Sequence, residues 1–295
     1  MKDTLLVTGA AGQLGRQILD FLLESGAAGS IIAATRSPDK LSDYRARGID
    51  VRAADFDDEA GLQSAFRGAK RALLISTDAV GVPGKRLSQH QRAVRAFAAA
   101  GVKHALYTSI PDADKSKITL APDHAGTEQA IVEAGLSYTF LRNNHYADLL
   151  LGPLAGAVAT GQLLDAKGNG KVAYVTRQDC ARTAAAALAD SERTGREILD
   201  VTGPAAVSSE ELASILSELS GRPVRHVSVP VAAVVQAMVQ HGLPEPVARI
   251  FASFDSAIAA GELARATDTV ERVTREKPRA LRDFLSAHKA QLAGK

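Results

Sequence analysis

The residues best suited to chemistry stand at the start of the chain. Leu5-Leu6-Val7-Thr8-Gly9-Ala10-Ala11-Gly12-Gln13-Leu14-Gly15 places three glycines three apart, directly after an apolar run. The run predicts a short buried strand, and the residues from Gln13 onward predict a helix. A strand, glycine turn and helix in that order cradle an anion. Gly9 permits the tight turn, Gly12 lets a pyrophosphate approach the backbone, and Gly15 lets helix and strand pack closely. Open N–H groups and the positive end of the helix dipole hold the phosphates, with Ala10, Ala11, Gln13 and Leu14 completing the cradle. The dinucleotide fingerprint is usually G-x-G-x-x-G, and here the spacing is G-x-x-G-x-x-G. The alternative is a glycine-rich turn that binds nothing; the flanking strand and helix favour the cradle.

Further polar residues fall at the ends of predicted strands. Arg36 closes the second, and no acid occurs in residues 31–38. An acid there binds ribose hydroxyls, whereas an arginine accommodates a 2′-phosphate, so Arg36 predicts NADPH, with Lys40 adding charge. A solvated surface arginine is the alternative. Asp55 can accept the adenine amino group. Phe56 reads equally as a partner for the adenine ring and as ordinary core. Ser76 and Thr77 end the fourth strand, and Thr108 and Ser109 end the fifth. Their position puts them beside the ribose and nicotinamide, although hydroxyls are also common turn formers.

These residues need a scaffold that aligns strand ends. Predicted strands at 31–35, 50–54, 72–76, 105–109 and 138–141 alternate with helices at 13–25, about 38–47, Asp57 or Asp58 to Gly68, 85–100, and Pro122 to Gly135. That rhythm predicts an α/β fold with a doubly wound parallel (Rossmann) sheet, whose ligand sits at the carboxyl ends of the strands. After Arg142 the rhythm changes. Residues 146–159 and 178–190 look helical, 171–176 and 198–201 strand-like. A helix from Ser208 to Gly221, a strand at 224–229 and two or three helices follow. The expected division is a cofactor domain over 1–150, with elements returned from about 171–203. A smaller substrate lobe would be built from 151–170 and 204–295.

Composition excludes several classes. Thirty-five basic residues against 33 acidic ones, a net charge of +2, leave no nucleic-acid footprint. No apolar run reaches the length of a membrane span or a signal segment, so a cytoplasmic protein without a membrane partner is expected. The one cysteine, Cys180, allows no internal disulfide and fits a reducing compartment. On its predicted helix it reads as a small core residue. No metal site is predicted, and the chain is expected to act as a monomer or homodimer.

Val7 to Gly15, Arg36-Ser37-Pro38-Asp39-Lys40, Gly101-Val102-Lys103-His104-Ala105-Leu106-Tyr107-Thr108-Ser109 and Tyr138-Thr139-Phe140-Leu141-Arg142-Asn143 together resemble the NmrA-like, atypical short-chain dehydrogenase/reductase family. The likeness is nearest to its NADPH-dependent quinone oxidoreductase branch, with triphenylmethane-dye reductases as near relatives. It implies a Rossmann domain that binds NADPH, a C-terminal substrate lobe, and hydride transfer to a quinone or similar planar conjugated acceptor. It also implies that Asn143, Asn144, His145 and Tyr146 border the nicotinamide and that Arg177 contacts the cofactor.

One departure matters. Ordinary members of the wider superfamily carry Tyr-x-x-x-Lys to protonate a carbonyl oxygen, and the matching frame here is Leu120-Ala121-Pro122-Asp123-His124. His124 and Tyr146 are the local candidates for a catalytic proton donor. Glu128 lies one helical turn beyond His124 and can orient its imidazole, or the two form a merely structural pair. Two rival functions remain: an NADP-binding redox sensor without turnover, and a reductase of a dye or an imine.

Overall fold

The computed structural model describes residues 3–27 and 30–292. Strand β1 (Leu5–Val7) is buried on both faces and runs into the glycine turn. Helix α1 (Gln13–Glu24) buries Leu14, Ile18, Leu19 and Leu22 as one stripe at helical spacing. Strand β2 (Ile31–Thr35) has all five residues buried, as expected of a strand covered by helices on both sides. A 3-10 turn (Pro38–Leu41) and helix α2 (Ser42–Ala46) lead to β3 (Asp50–Ala53). Asp58, the second of the two predicted caps, accepts from the Gly61 amide and starts α3 (Glu59–Ala65).

Strand β4 (Arg71–Leu74), helix α4 (Lys85–Ala100), strand β5 (His104–Ser109), helix α5 (Ala121–Glu133) and strand β6 (Ser137–Asn143) continue the alternation. Gly101 closes α4 in the left-handed conformation, at φ 75°. Helix α6 (Leu151–Thr160), strands β7 (Gln162–Asp165) and β8 (Lys171–Val172), helix α7 (Arg177–Ala189) and strand β9 (Arg196–Val201) follow. The seven-stranded sheet has the order β3-β2-β1-β4-β5-β6-β9. Leu5 of β1 pairs in parallel with Ile31 of β2 on one side and with Arg71 of β4 on the other. Strand order therefore reverses between β1 and β4, and the loops after those two strands bound the crevice where this fold takes its ligand.

The chain forms two compact units. The first comprises the chain up to Ile110 with Pro122–Arg142 and Cys180–Leu199, and holds the large sheet. Its core packs Phe56, Leu62, Phe66, Val94, Phe97 and Tyr107, with the Phe66 and Phe97 rings 5.1 Å apart. Cys180 is buried and forms no disulfide, as its helical position predicts.

The second unit comprises Pro111–Ala121, Asn143–Asp179 and the chain from Asp200 onward. Strand β10 (Val207–Ser208) pairs antiparallel with β8, and β11 (Arg225–Ser228) pairs parallel with β7. Helix α8 (Ser209–Ser220) starts on a capping box made by Ser208 and Glu211. Helices α9 (Val231–Gln240), α10 (Glu245–Ala259), α11 (Thr269–Thr274), α12 (Leu281–Ala287) and α13 (Lys289–Leu292) complete it, more than the two or three expected. A polar cluster lies inside this unit. Asp165 accepts from Ser209 Oγ at 2.5 Å and from His226 Nε2 at 2.9 Å. Lys167 Nζ lies 3.5 Å from Asp165 and 3.4 Å from the Tyr174 hydroxyl. Burial pushes the Asp165 carboxyl up, but Lys167, Ser209 and His226 outweigh it and hold the group below the usual carboxylate range.

The observed units differ from the expected domains. The segment returned to the first unit is Cys180–Leu199 rather than about 171–203, and residues 111–121 and 143–150 lie in the second unit. The strand predicted over 171–176 shrinks to two residues, because the Ala173 amide bonds the Leu263 carbonyl and Val175 forms a lone parallel bridge with Tyr146 instead of continuing the pairing with β10.

Candidate functional site

The glycine turn is a tight junction between β1 and α1. Gly9 sits at φ 60°, where a side chain is disfavoured. The Ala10 amide is used by the Ala34 carbonyl and the Gly12 amide by the Gly9 carbonyl. Gly12 caps α1 without any side-chain hydrogen bond, so the first-turn amides of Gln13 and Leu14 have no side-chain cap. A Cβ on Gly15 would lie 2.5 Å from the Gly9 carbonyl oxygen and 2.7 Å from Ala10 Cα. Gly15 is thus a close-packing residue, while Gly9, Gly12 and Gln13 are the exposed members of the turn. Thr8, which sequence reasoning passed over, is fully buried. Its hydroxyl donates to the Leu73 carbonyl and accepts from the Ile75 amide, which ties the ends of β1 and β4 together beneath the crevice. Its place just before the first glycine was the available signal.

At the end of β2 the Arg36 side chain is two-thirds exposed, and its guanidinium lies 3.8 Å from Asp78. Lys40 is exposed close by, and its carbonyl accepts a hydrogen bond from Arg16. Arg16 was also missed. One residue beyond the third glycine, it reaches back from α1 to the loop after β2, over the Tyr44 ring at 5.6 Å. Arg36 and Lys40 thus belong to the loop after β2, and Arg16 reaches that loop at the Lys40 carbonyl and α2 at Asp43. Asp55 is exposed, and its carboxylate accepts from the Asp57 amide. Phe56 is only 8% exposed and belongs to the core cluster, which decides its two readings in favour of core.

Strand β4 ends at Leu74, so Ser76 and Thr77 lie in the loop after it rather than on the strand. The Ser76 amide donates to Thr108 Oγ1 at 2.9 Å, which joins that loop to the end of β5. Ser109 turns away, donating to Glu128 at 2.6 Å. Glu128 also takes two hydrogen bonds from the Arg142 guanidinium, at 3.1 and 2.7 Å. It does not orient His124. A desolvated carboxylate takes the strongest cation in reach, and β6 supplies one.

His124 is 3% exposed. Its Nε2 lies 3.1 Å from an Arg86 nitrogen and its Nδ1 2.9 Å from the Tyr107 hydroxyl. Arginine only donates, so Nε2 accepts and the proton sits on Nδ1, facing Tyr107. Burial, then Arg86 and His90, hold this imidazole well below its ordinary value. A neutral, enclosed imidazole keeps its one proton on the Nδ1–Tyr107 contact, so a part for His124 in proton delivery stays an expectation that activity measurements must test.

In the second unit, Asn144 is occupied structurally. Its Nδ2 donates to the Leu263 carbonyl and its Oδ1 accepts from the His145 amide. His145 meets the Tyr174 and Phe254 rings edge-on, and burial followed by the Lys167 charge lowers its imidazole to about 3. Asn143 Nδ2 donates to the Tyr146 hydroxyl at 2.9 Å, while Asn143 Oδ1 is buried without a partner. Arg177 lies over the Tyr146 ring at 5.8 Å and pairs with Asp148 at 3.0 Å. Among the described residues no cluster of side chains suits a metal ion.

A parallel sheet with a glycine turn at its point of reversal defines the class: a Rossmann-type dinucleotide-binding protein. The chain belongs to the NmrA-like family, whose pattern it matches over residues 1–285. Quinone oxidoreductase 2 of Escherichia coli (strain K12) is 35% identical over 269 residues, covering 91% of this chain and 93% of the relative. The crystal structure of the E. coli NADPH-dependent quinone oxidoreductase complexed with NADPH superposes with a TM-score of 0.91 at 34% identity, covering 96% of this chain and 99% of that one. The Citrobacter sp. triphenylmethane reductase complexed with NADP(H) gives 0.90 at 34% identity, with the same coverage.

Proposed function

We propose that this protein is an NADPH-dependent oxidoreductase that passes hydride to a quinone or similar planar conjugated acceptor. The observation that carries the reading is the uncapped glycine turn at the β1/β4 reversal, with Arg36 at the end of β2. The quinone oxidoreductase relative supports the acceptor class, and its NADPH-bound structure supports the cofactor. The residues present fit NADPH. Gly12 and the first-turn amides of α1 take the pyrophosphate. Arg36, Lys40 and Arg16 take the 2′-phosphate, and Asp55 and Ser76 border the adenosine and ribose. In the second unit, Asn143, whose buried Oδ1 lacks a donor, and Tyr146 are the candidates to meet the nicotinamide or the acceptor.

NADPH, when bound, supplies the hydride. The protein's own part is to bind, orient and exclude competing chemistry. Leu120 stands where a tyrosine acid would be, and His124 is enclosed. Simple ketones yield a strongly basic alkoxide on hydride addition and need such an acid. A quinone yields a delocalised, weakly basic product that solvent or Tyr146 can protonate. The purified protein should therefore oxidise NADPH when given 1,4-benzoquinone or a naphthoquinone, followed as loss of NADPH absorbance, and should leave simple ketones almost untouched. Efficient turnover of an unactivated ketone would show that an acid has been misplaced.

No helix among the described residues is long and apolar enough to cross a membrane. The buried Cys180, in no disulfide, suits a reducing, cytoplasmic setting. We take the protein to act as a monomer or homodimer, which sedimentation distinguishes.

A further inference from the structure

We propose that Arg86 and His90, both on α4, are positioning residues for cofactor binding: together they clamp the backbone of Thr77 and so fix the loop that walls the crevice opposite the glycine turn. The proposal rests on the reading that NADPH occupies the β1/β4 crevice.

The loop from Ile75 to Gly84 has no regular structure of its own and contains Gly81, Pro83 and Gly84. Its first residues are nevertheless held on both backbone atoms. The Thr77 N–H donates to His90 Nε2 at 2.9 Å, and the Thr77 carbonyl accepts from Arg86 Nε at 2.9 Å. The proton positions follow from the partners. His90 Nε2 must be bare to accept, so its proton is on Nδ1, which faces Thr127 Oγ1 at 2.9 Å. The Thr127 hydroxyl in turn donates to the Asp123 carbonyl at 2.6 Å. Arg86 spends a second nitrogen on His124 and brings a third to 3.8 Å from Asp123. The clamp is thus anchored in α5 and, through Tyr107, in β5.

The cost of the arrangement points to a use. Arg86 is 4% exposed and His90 wholly buried. One Arg86 nitrogen, Nη1, has no hydrogen-bond partner. A buried guanidinium is expensive, and apolar residues of similar volume generally serve stability as well or better. What apolar residues cannot do is hold an N–H and a C=O of an irregular loop in one place. That loop also carries Asp78, beside Arg36, and its Ser76 amide reaches Thr108. Its position therefore sets one side of the crevice, and an ordered wall spares the cofactor the cost of ordering it on binding.

The test compares His90→Leu with His90→Gln in the full-length protein. Glutamine can accept from the Thr77 amide and donate to Thr127, whereas leucine can do neither. His90→Leu should raise the NADPH dissociation constant, measured by fluorescence titration without acceptor, and the NADPH KM by roughly tenfold, the worth of one buried hydrogen bond. The kcat at saturating NADPH and the KM for quinone should stay near the unmutated values. Hydrogen exchange should accelerate in peptides covering 75–84, and His90→Gln should recover most of the NADPH affinity. Unmutated NADPH affinity in a folded His90→Leu protein overturns the proposal, as does equal impairment of the two variants. If His90→Leu does not fold, Arg86→Lys, which keeps the charge but loses the fork, must show the same rise in the NADPH dissociation constant with faster exchange at 75–84. An unmutated protein that fails to bind NADPH at all would instead overturn the cofactor reading itself.

Discussion

At the scale of single residues, the proposed preference for NADPH rests on Arg36. Its guanidinium is exposed, and Asp78, itself almost fully exposed, lies near it at 3.8 Å. Such a surface pair contributes little, so a 2′-phosphate can displace the carboxylate at small cost. Arg36→Asp should raise the NADPH dissociation constant on the order of tenfold to a hundredfold and affect NADH least, since a hydrogen bond to a charged group contributes about 1.5–3 kcal/mol. Equal affinities for the two cofactors in the unmutated protein would end this account. His124 makes the opposite kind of prediction. His124→Ala strands Tyr107 and Arg86 in the core, so it should lower the stability by about 1–3 kcal/mol for the unsatisfied groups alone. Its effect on kcat in the folded fraction should be modest. A kcat loss on the order of 10⁴-fold, with the melting temperature unchanged, would restore His124 as the acid. Tyr146→Phe should likewise lose only a modest factor in kcat if solvent suffices as proton source.

At the scale of elements, the β1–α1 junction separates folding from binding. Gly12 has φ −73° and ψ 168°, extended backbone that any residue adopts, and a Cβ there would lie 3.2 Å from the Gly9 carbonyl oxygen. The fold can accept a side chain at Gly12, but a pyrophosphate bound against that backbone, as proposed, could not. Gly12→Val should abolish NADPH binding while leaving the circular dichroism near normal. Gly15→Ala should behave differently, because its Cβ would sit 2.5–2.9 Å from backbone atoms of Gly9 and Ala10. Helix α1 must then move off the sheet, with a loss of roughly 1–3 kcal/mol of stability, typical of overpacking. Denaturant titration of the pair reads this directly, and retained NADPH binding in Gly12→Val would place the cradle elsewhere.

At the scale of the whole molecule, buried imidazoles set the acid limit. Burial lowers His90 and His145 to about 3 and His104 to about 4, helped by neighbouring cationic side chains, and holds His124 well below its ordinary value. In the unfolded chain all four titrate at about 6.5. Below that pH the unfolded chain takes up protons that the folded one refuses, so stability is complete above about pH 6.5 and falls as the pH drops toward the folded values. Each imidazole contributes a slope of about 1.4 kcal/mol per pH unit through that window. Urea midpoints should fall steeply between about pH 6.5 and about pH 4.5, well above the carboxylate range. His104→Leu should flatten the slope by one imidazole's share. A midpoint independent of pH through that window would contradict the neutral assignment.

Local sequence determined the elements whose partners are near neighbours. Leu14, Ile18 and Leu22 suffice to place the buried stripe of α1, and Gly101 to end α4 where expected, because a helix is closed by bonds within itself. The glycine spacing likewise placed the tight turn between β1 and α1 before any fold was known. Tertiary structure alone decided which partner each buried polar group takes. Helical spacing offers His124 to Glu128, yet Ser109 on β5 and Arg142 on β6 claim that carboxylate. Phe56 joins the core because α3 and α4 close over it, and the strand expected over 171–176 is cut short where Ala173 and Val175 bond the Leu263 and His145 carbonyls instead. Thr77, Arg86 and His90 are unremarkable in sequence and meet only when α4 packs beside β4. Desolvation makes each buried donor or acceptor take the best partner that the finished fold brings within reach, and that choice is not encoded in its sequence neighbours.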